Sequence, residues 1–450
     1  MTSMTSTSTP RLELKAHAQR DLIPAMYGQI DFSLVPERFT DDPTVASSLP
    51  ARLAKRRPAL LKNRERVALL RAYTMVGDAV ADAYVALMPQ YGAKRLITML
   101  QDACDKGLPH IAGAPPELVA FITEMERLPP WLDRKLIEKG ARQQRSAYAH
   151  VAPYAIRGAF FATFMNKYSA LPMAITGALT STTAARRVKE TATFFATSVL
   201  PGALERYGEG FRAAAMVRFM HSMVRFNVLT RRSDWNVLTH GIPIPQVDQM
   251  PAGLINIFLL ARMVLHQGRK SFNEDERAIV ELSRYRCFLL GLPEELLAET
   301  PQEISDMMLT RAATLRAGFD DATCGALVRA TMAAELVQDS SFAGRLEAQM
   351  ERSFAKLFFV RNFVDGDRRA AARVGIEVTP VDYAWAAATG LWIVAHMRAY
   401  SLAERIPVVR DLADERLVQK LKKQLARYGH AEYMTHGEKY RPMQQPAFAR

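Results

Sequence analysis

The chain has 450 residues, 49% of them hydrophobic and 23% charged, with a formal net charge of +13. That length and apolar content suffice for a large buried core and exclude a chain held open by its own charge. The three cysteines, Cys104, Cys287 and Cys324, lie far apart without a C-x-x-C pair, which excludes a disulfide framework and fits a reducing compartment.

Residues 1–20 are Ser/Thr-rich without apolar periodicity and read as a disordered tail. They carry neither an apolar h-region nor a twin-arginine pair, so the expected location is cytoplasmic. The run 51–92 reads as helices broken near Pro58, with a further helix from Ala93, a turn at 113–116 and a short helix over 117–128. Pro129 and Pro130 stop that helix, and Asp133 is placed to cap the long helical region that follows. The uncharged stretch 168–185 reads as helix, turn, helix, and 186–200 as the helix carrying RRVKET.

Gly208, Gly210 and Ala213 fit the dinucleotide fingerprint G-x-G-x-x-A, but the preceding ALERY has no strand character. These glycines therefore read as helix punctuation before 211–229, a long helix rich in Ala, Met, Val and Phe. His221 lies at its centre, with Val217, Arg218, Val224 and Arg225 as neighbours one turn away. Two readings are open for an imidazole between two guanidiniums. It is a core histidine whose arginines reach for solvent, or a haem ligand whose arginines bind propionates or lock the helix to its neighbours.

Beyond Gln249 the sequence predicts helices over 252–267, 274–290 with Asn273 as cap, 301–317 and 322–336. A last apolar helix, 383–399, contains Trp385, Trp392 and His396. No segment offers about 20 consecutive apolar residues, the length of a membrane-spanning helix. No stretch alternates with period two, so the fold class is all-α. Positive charge is dispersed, with local density at 52–66 and 420–427, which argues against a specific nucleic-acid module. The second cluster reads as the solvated face of a surface helix, with contact to an acidic membrane as the other option. The sequence contains no H-E-x-x-H, no E-x-x-H pair, no G-x-S-x-G and no P-loop.

Three blocks stand in order: PPWLD (129–133), VRFMHSMVR (217–225) and W-N…H-G-I-P-I-P-Q-V-D-Q (235–249). Together they resemble the family of MpaB-type oxygenases and latex-clearing proteins over roughly 125–300. The resemblance implies a globin-like helical core with additional helices at both ends. The chain then divides into the tail 1–20, an N-terminal helical extension 21–124, a haem-binding core 125–300 and C-terminal helices 301–450.

It also implies haem b with iron held by His221, Arg218 and Arg225 near the cofactor, and Arg187 and Thr191 on the opposite side. Where the rubber oxygenases carry lysine before that threonine, this chain has Glu190, and Lys189 lies about 100° around the helix. The upstream glutamate of those enzymes has no counterpart, since 159–189 contains no Asp or Glu. Glu190 is then expected either as a distal acid or base, or at the surface paired with Arg186 or Arg187. Trp235, Gly241, Pro243, Pro245, Gln246 and Asp248 form the loop that shapes or anchors the site, and His240 is a second candidate iron ligand.

The implied function is oxygenation of an apolar isoprenoid, lipid or polyketide-like substrate with O₂, with an electron donor if the reaction needs one. The alternative is a non-catalytic helical protein that binds haem or a hydrophobic ligand.

Overall fold

Side-chain caps decide where several of the long helices begin. The structure is a computed structural model that describes residues 8–177, 179–435 and 440. The helices that position the site, numbered in chain order, are α1 (Ala79–Ala86), α2 (Arg134–His150), α3 (Ala152–Thr163), α4 (Ser181–Thr197) and α5 (Glu209–Arg231). They continue with α6 (Gln246–His266), α7 (Glu274–Leu289), α8 (Pro301–Thr314), α9 (Phe342–Phe363), α10 (Pro380–Ala403) and α11 (Pro407–Tyr428). Asp133 accepts from the amides of Lys135 and Leu136 at the start of α2, and Asn273 forms a capping box with Glu276 at the start of α7. The architecture is all-α. Among the described residues, extended pairing is confined to two isolated bridges, Phe39 with Leu315 and Ser47 with Arg316.

Several helices start earlier than the sequence predicts, α4 and α6 by the most. A capping box between Thr180 and Thr183 begins α4 ahead of residue 186. α6 begins at Gln246, ahead of Pro251, because the missing Pro251 N–H is compensated elsewhere. The carbonyl it leaves without a helical donor, Val247 O, accepts from Arg311 Nε of α8 at 2.6 Å. α6 is also the one described helix long and apolar enough to cross a membrane by length and composition.

The tail expected to be disordered over 1–20 is corrected in part: Ser8–Leu22 is helical, and residues 1–7 lie outside the described residues. Long-range contacts hold this segment where composition gave no sign of order. Gln19 donates to Met75 O and accepts from Gly77 N, and Ala16 and Ile23 are buried.

One hydrophobic core runs from Ala16 through Tyr84, Phe121, Phe211, Phe219 and Phe288 to Tyr433. The 21–124 segment therefore shares its core with α5, α6 and α7. A second cluster, including Phe161, Val188 and Phe359, lies among α3, α4 and α9. The helices approach closely: a Cβ on Gly140 of α2 would lie 2.1 Å from Ala278 O of α7. α11 buries Leu417 and Leu421 against this body and leaves Lys422 and Lys423 exposed, so its basic residues form a solvated face. Gly208 and Gly210 open α5 after helix and turn rather than after a strand, as their reading as punctuation requires.

Candidate functional site

α5 is anchored by charge as well as by packing. Arg218 makes two hydrogen bonds to Asp78, at 2.7 and 2.8 Å, and Arg225 makes two to Asp82, at 2.8 and 3.1 Å. Both pairs are almost wholly buried. Burial pushes the Asp78 carboxyl upward, but Arg218 and then Arg225 outweigh it and hold the group below its ordinary range. Arg225 also donates to Ile244 O, whose residue adopts φ +47°, and Tyr27 donates to Asp82. The backbone leaves room for these pairs only through glycine. A Cβ on Gly77 would lie 2.4 Å from Asp82 Oδ2, and one on Gly291, at φ +85°, would lie 2.4 Å from Asp78 Oδ2. Of the two roles open for Arg218 and Arg225, propionate contact or locking the helix, these pairs form the second. Asp78 and Asp82 take both guanidiniums, and the arginines lock α5 to α1.

His221 is oriented from the other side by a chain of amides. Gln246 Nε2 donates to Gly77 O at 2.8 Å, Gln249 Nε2 donates to Gln246 Oε1 at 2.9 Å, and Gln249 Oε1 lies 3.2 Å from His221 Nδ1. A carbonyl can only accept, so the Gly77 oxygen fixes which way each glutamine amide points. Gln249 must then present oxygen to the ring, and Nδ1 must carry the proton. That leaves the Nε2 lone pair free, and among the described residues it makes no hydrogen bond.

His221 keeps a strip of accessible surface within a densely packed surrounding. Burial, reinforced by the Arg225 and Arg187 charges and opposed by the Gln249 bond, lowers its pKa to about 4. The imidazole is neutral at pH 7.

α4 supplies the facing residues and divides them. Arg187 and Glu190 are both buried and pair at 3.1 Å, so Glu190 does not face solvent, although its expected pairing with Arg187 holds. The buried hydroxyl of Tyr433, near enough to feel the Glu190 charge, and that of Thr193 both lack a hydrogen-bond partner among the described residues. Thr191 instead lines an apolar cavity of about 320 Å³ with Ile156, Phe160, Phe195, Leu259 and Met308. Glu190 lines a separate, more polar depression with Thr193, as does Lys189. Arg187, Glu190 and Thr191 thus share one helix but do not converge on one cavity.

Residues 145–340 match the family model for the catalytic domain of ER-bound oxygenase mpaB/B′ and rubber oxygenase. Over that stretch the chain is similar to the catalytic domain of the MpaB and rubber-oxygenase family. A solved structure of latex clearing protein LCP in the closed state shares the fold, with a TM-score of 0.54 over 79% of this chain and 91% of that one, at 16% identity. No curated protein matches.

Of the residues expected in the loop after α5, Trp235, Gly241, Pro243 and Pro245 precede α6, whereas Gln246 and Asp248 lie in its first turn; both parts have an anchoring role. Trp235 Nε1 donates to Gly241 O, and Asp248 receives Arg38 at 2.6 Å and Arg311 at 3.2 Å. His240 packs between the Trp235 and Tyr168 rings, and burial followed by the Arg38 charge lowers its pKa to about 4. His396 joins His150 and Trp392 in an aromatic cluster, with Nδ1 2.9 Å from Trp392 O. Trp131 donates to Glu294 and packs beneath Arg284. The sequence reading missed Gln249, Asp78 and Asp82. The one signal for the aspartates was their spacing of four on an otherwise apolar helix.

Proposed function

We propose that this protein is a haem b-dependent oxygenase acting on an apolar organic substrate, with the haem iron held by Nε2 of His221. The carrying observation is the amide chain from Gly77 O through Gln246 and Gln249 to His221 Nδ1. A protein ligand to a metal commonly has its other ring nitrogen fixed by such an acceptor, which sets both tautomer and orientation. No group of three His, Cys, Asp or Glu suited to a bare metal ion occurs among the described residues, and a haem needs only the one imidazole. The donor set therefore fits haem better than a protein-held metal.

Bound haem would supply oxygen-activating chemistry. The chain's own residues hold His221 neutral, place the buried Arg187 charge near it, and present Thr191 on an apolar cavity that selects an isoprenoid, lipid or polyketide-like chain. Glu190 accepts a hydrogen bond from Arg187 and does not line that cavity.

A second reading, a non-catalytic protein that binds haem or a hydrophobic ligand, is favoured by that separation of Glu190 from Thr191. Haem-loaded protein incubated with isoprenoid and fatty substrates under ¹⁸O₂ separates the two. Labelled oxygen in the product is expected. Bound substrate without label, across both substrate classes, would favour the binding protein.

A further inference from the structure

The largely apolar cavity beside Thr191 is also lined by charged residues. Arg52 pairs with Asp365 and Arg311 with Asp248, Arg262 is only partly buried, and Arg286 is the fully buried cation among them without a carboxylate. Arg286, in the last turn of α7, lines the cavity and is 1% exposed. Its donors reach only hydroxyls: Tyr148 at 3.1 Å, Ser198 at 3.3 Å and Ser283 at 3.5 Å. The guanidinium lies 4.6 Å from the centre of the Phe195 ring, and its Nε has no partner. No described carboxylate lies within ion-pair distance.

The other buried arginines are treated differently. Arg38, Arg145, Arg157, Arg187, Arg218, Arg225 and Arg284 each have an Asp or Glu. A buried cation without an anion is costly, and of the other buried arginines only Arg57 lacks a carboxylate, with three backbone carbonyl acceptors in its place. Beside Arg286, Asn256 also lines the cavity. It donates to Ser283 at 2.9 Å, while its Oδ1 is buried without a partner. Guanidinium, phenol and amide thus gather beside an apolar stretch of the lining that includes Ile156, Phe160, Leu259 and Met308.

We propose that Arg286 is the anchor of a carboxylate site, and that the cavity takes an amphiphilic acid with its head on Arg286 and its chain along the apolar wall. A planar guanidinium with unmet N–H groups matches a carboxylate's two oxygens, and the buried setting strengthens the pair. Calling the acid a substrate rests on the oxygenase reading; its binding does not. The same chemistry has two sources, the acid head of a ligand or a propionate of haem, and the site is assigned to the ligand.

The test is displacement of an apolar fluorescent probe by laurate and by dodecanol, on protein with and without haem, together with haem titration. Laurate is expected to bind about tenfold or more tightly than dodecanol. R286Q should bring laurate to the affinity of dodecanol and leave dodecanol unchanged, while R286K keeps a preference for the acid. Equal binding of acid and alcohol to the unaltered protein would overturn the site. So would R286Q weakening both ligands alike, or lowering haem uptake while the acid preference survives, which would make the carboxylate a propionate. Acid preference without any turnover would leave the site standing and remove only the oxygenase reading.

Discussion

Gln249 Oε1 accepts the Nδ1 proton of His221 at 3.2 Å, and the direction of that bond is set two amides away by the carbonyl of Gly77. A residue ahead of α1 therefore governs which ring nitrogen on α5 is free. Gln249→Leu removes the acceptor while keeping comparable volume. Haem affinity should fall about 10-fold to 100-fold, as for loss of comparable supporting partners of a metal ligand. The check is haem titration followed by absorbance. Unchanged affinity with Gln249→Leu would show that the relay does not hold the ligand.

The Arg225–Asp82 pair is fully buried, so deleting one member strands the other. Arg225→Ala should destabilise the protein by about 3–5 kcal/mol, with Arg218→Ala similar through Asp78. The double change Arg225→Met with Asp82→Leu should cost much less, because it removes both charges together. Denaturant unfolding of the three variants decides this. Equal losses for the single and double changes would contradict a stranded charge.

Gly77 and Gly390 make a matched pair. A Cβ at position 77 would enter the Tyr27–Asp82 contact, whereas at 390, within α10, it meets nothing within 4 Å. Gly77→Ala should cost about 1–3 kcal/mol. Gly390→Ala should stabilise by about 0.5–1 kcal/mol through helix propensity. Thermal unfolding should show opposite shifts, and a shared sign would refute the packing argument.

Acid should weaken the fold through His150. Burial, followed by the nearby Lys420 charge, lowers its pKa from 6.5 to about 4, and its Nδ1 donates to Ser146 O at 3.0 Å. The folded ring thus resists protonation while the unfolded ring accepts it. This contribution is fully present above pH 6.5 and lost progressively as pH falls toward 4. His150→Gln should flatten the stability profile across that window. An unchanged slope would place the acid sensitivity elsewhere.

The helical fold and the place of His221 were legible because their signals are local: periodic apolar residues, Asp133 and Asn273 as caps, and the proline-rich loop at 241–245. What gives the site its geometry was not local. Arg218 and Asp78 are 140 residues apart, and nothing in VRFMHSMVR says that its arginines face carboxylates rather than a cofactor. The position of Glu190 was misleading for a related reason. Spacing on α4 gave its neighbours but not which cavity each turn faces. The early start of α6 depended on Arg311 of another helix reaching the carbonyl that Pro251 leaves open, a compensation no local rule contains.

The most direct test of the central claim is the visible absorption of protein purified from haem-replete cells, quantified as pyridine haemochrome and compared with His221→Ala. The account predicts a Soret band at about one haem per chain that is lost in the variant while its helical circular dichroism is kept. A folded, colourless protein that takes up no added haem, or a His221→Ala variant that retains its haem, would contradict it.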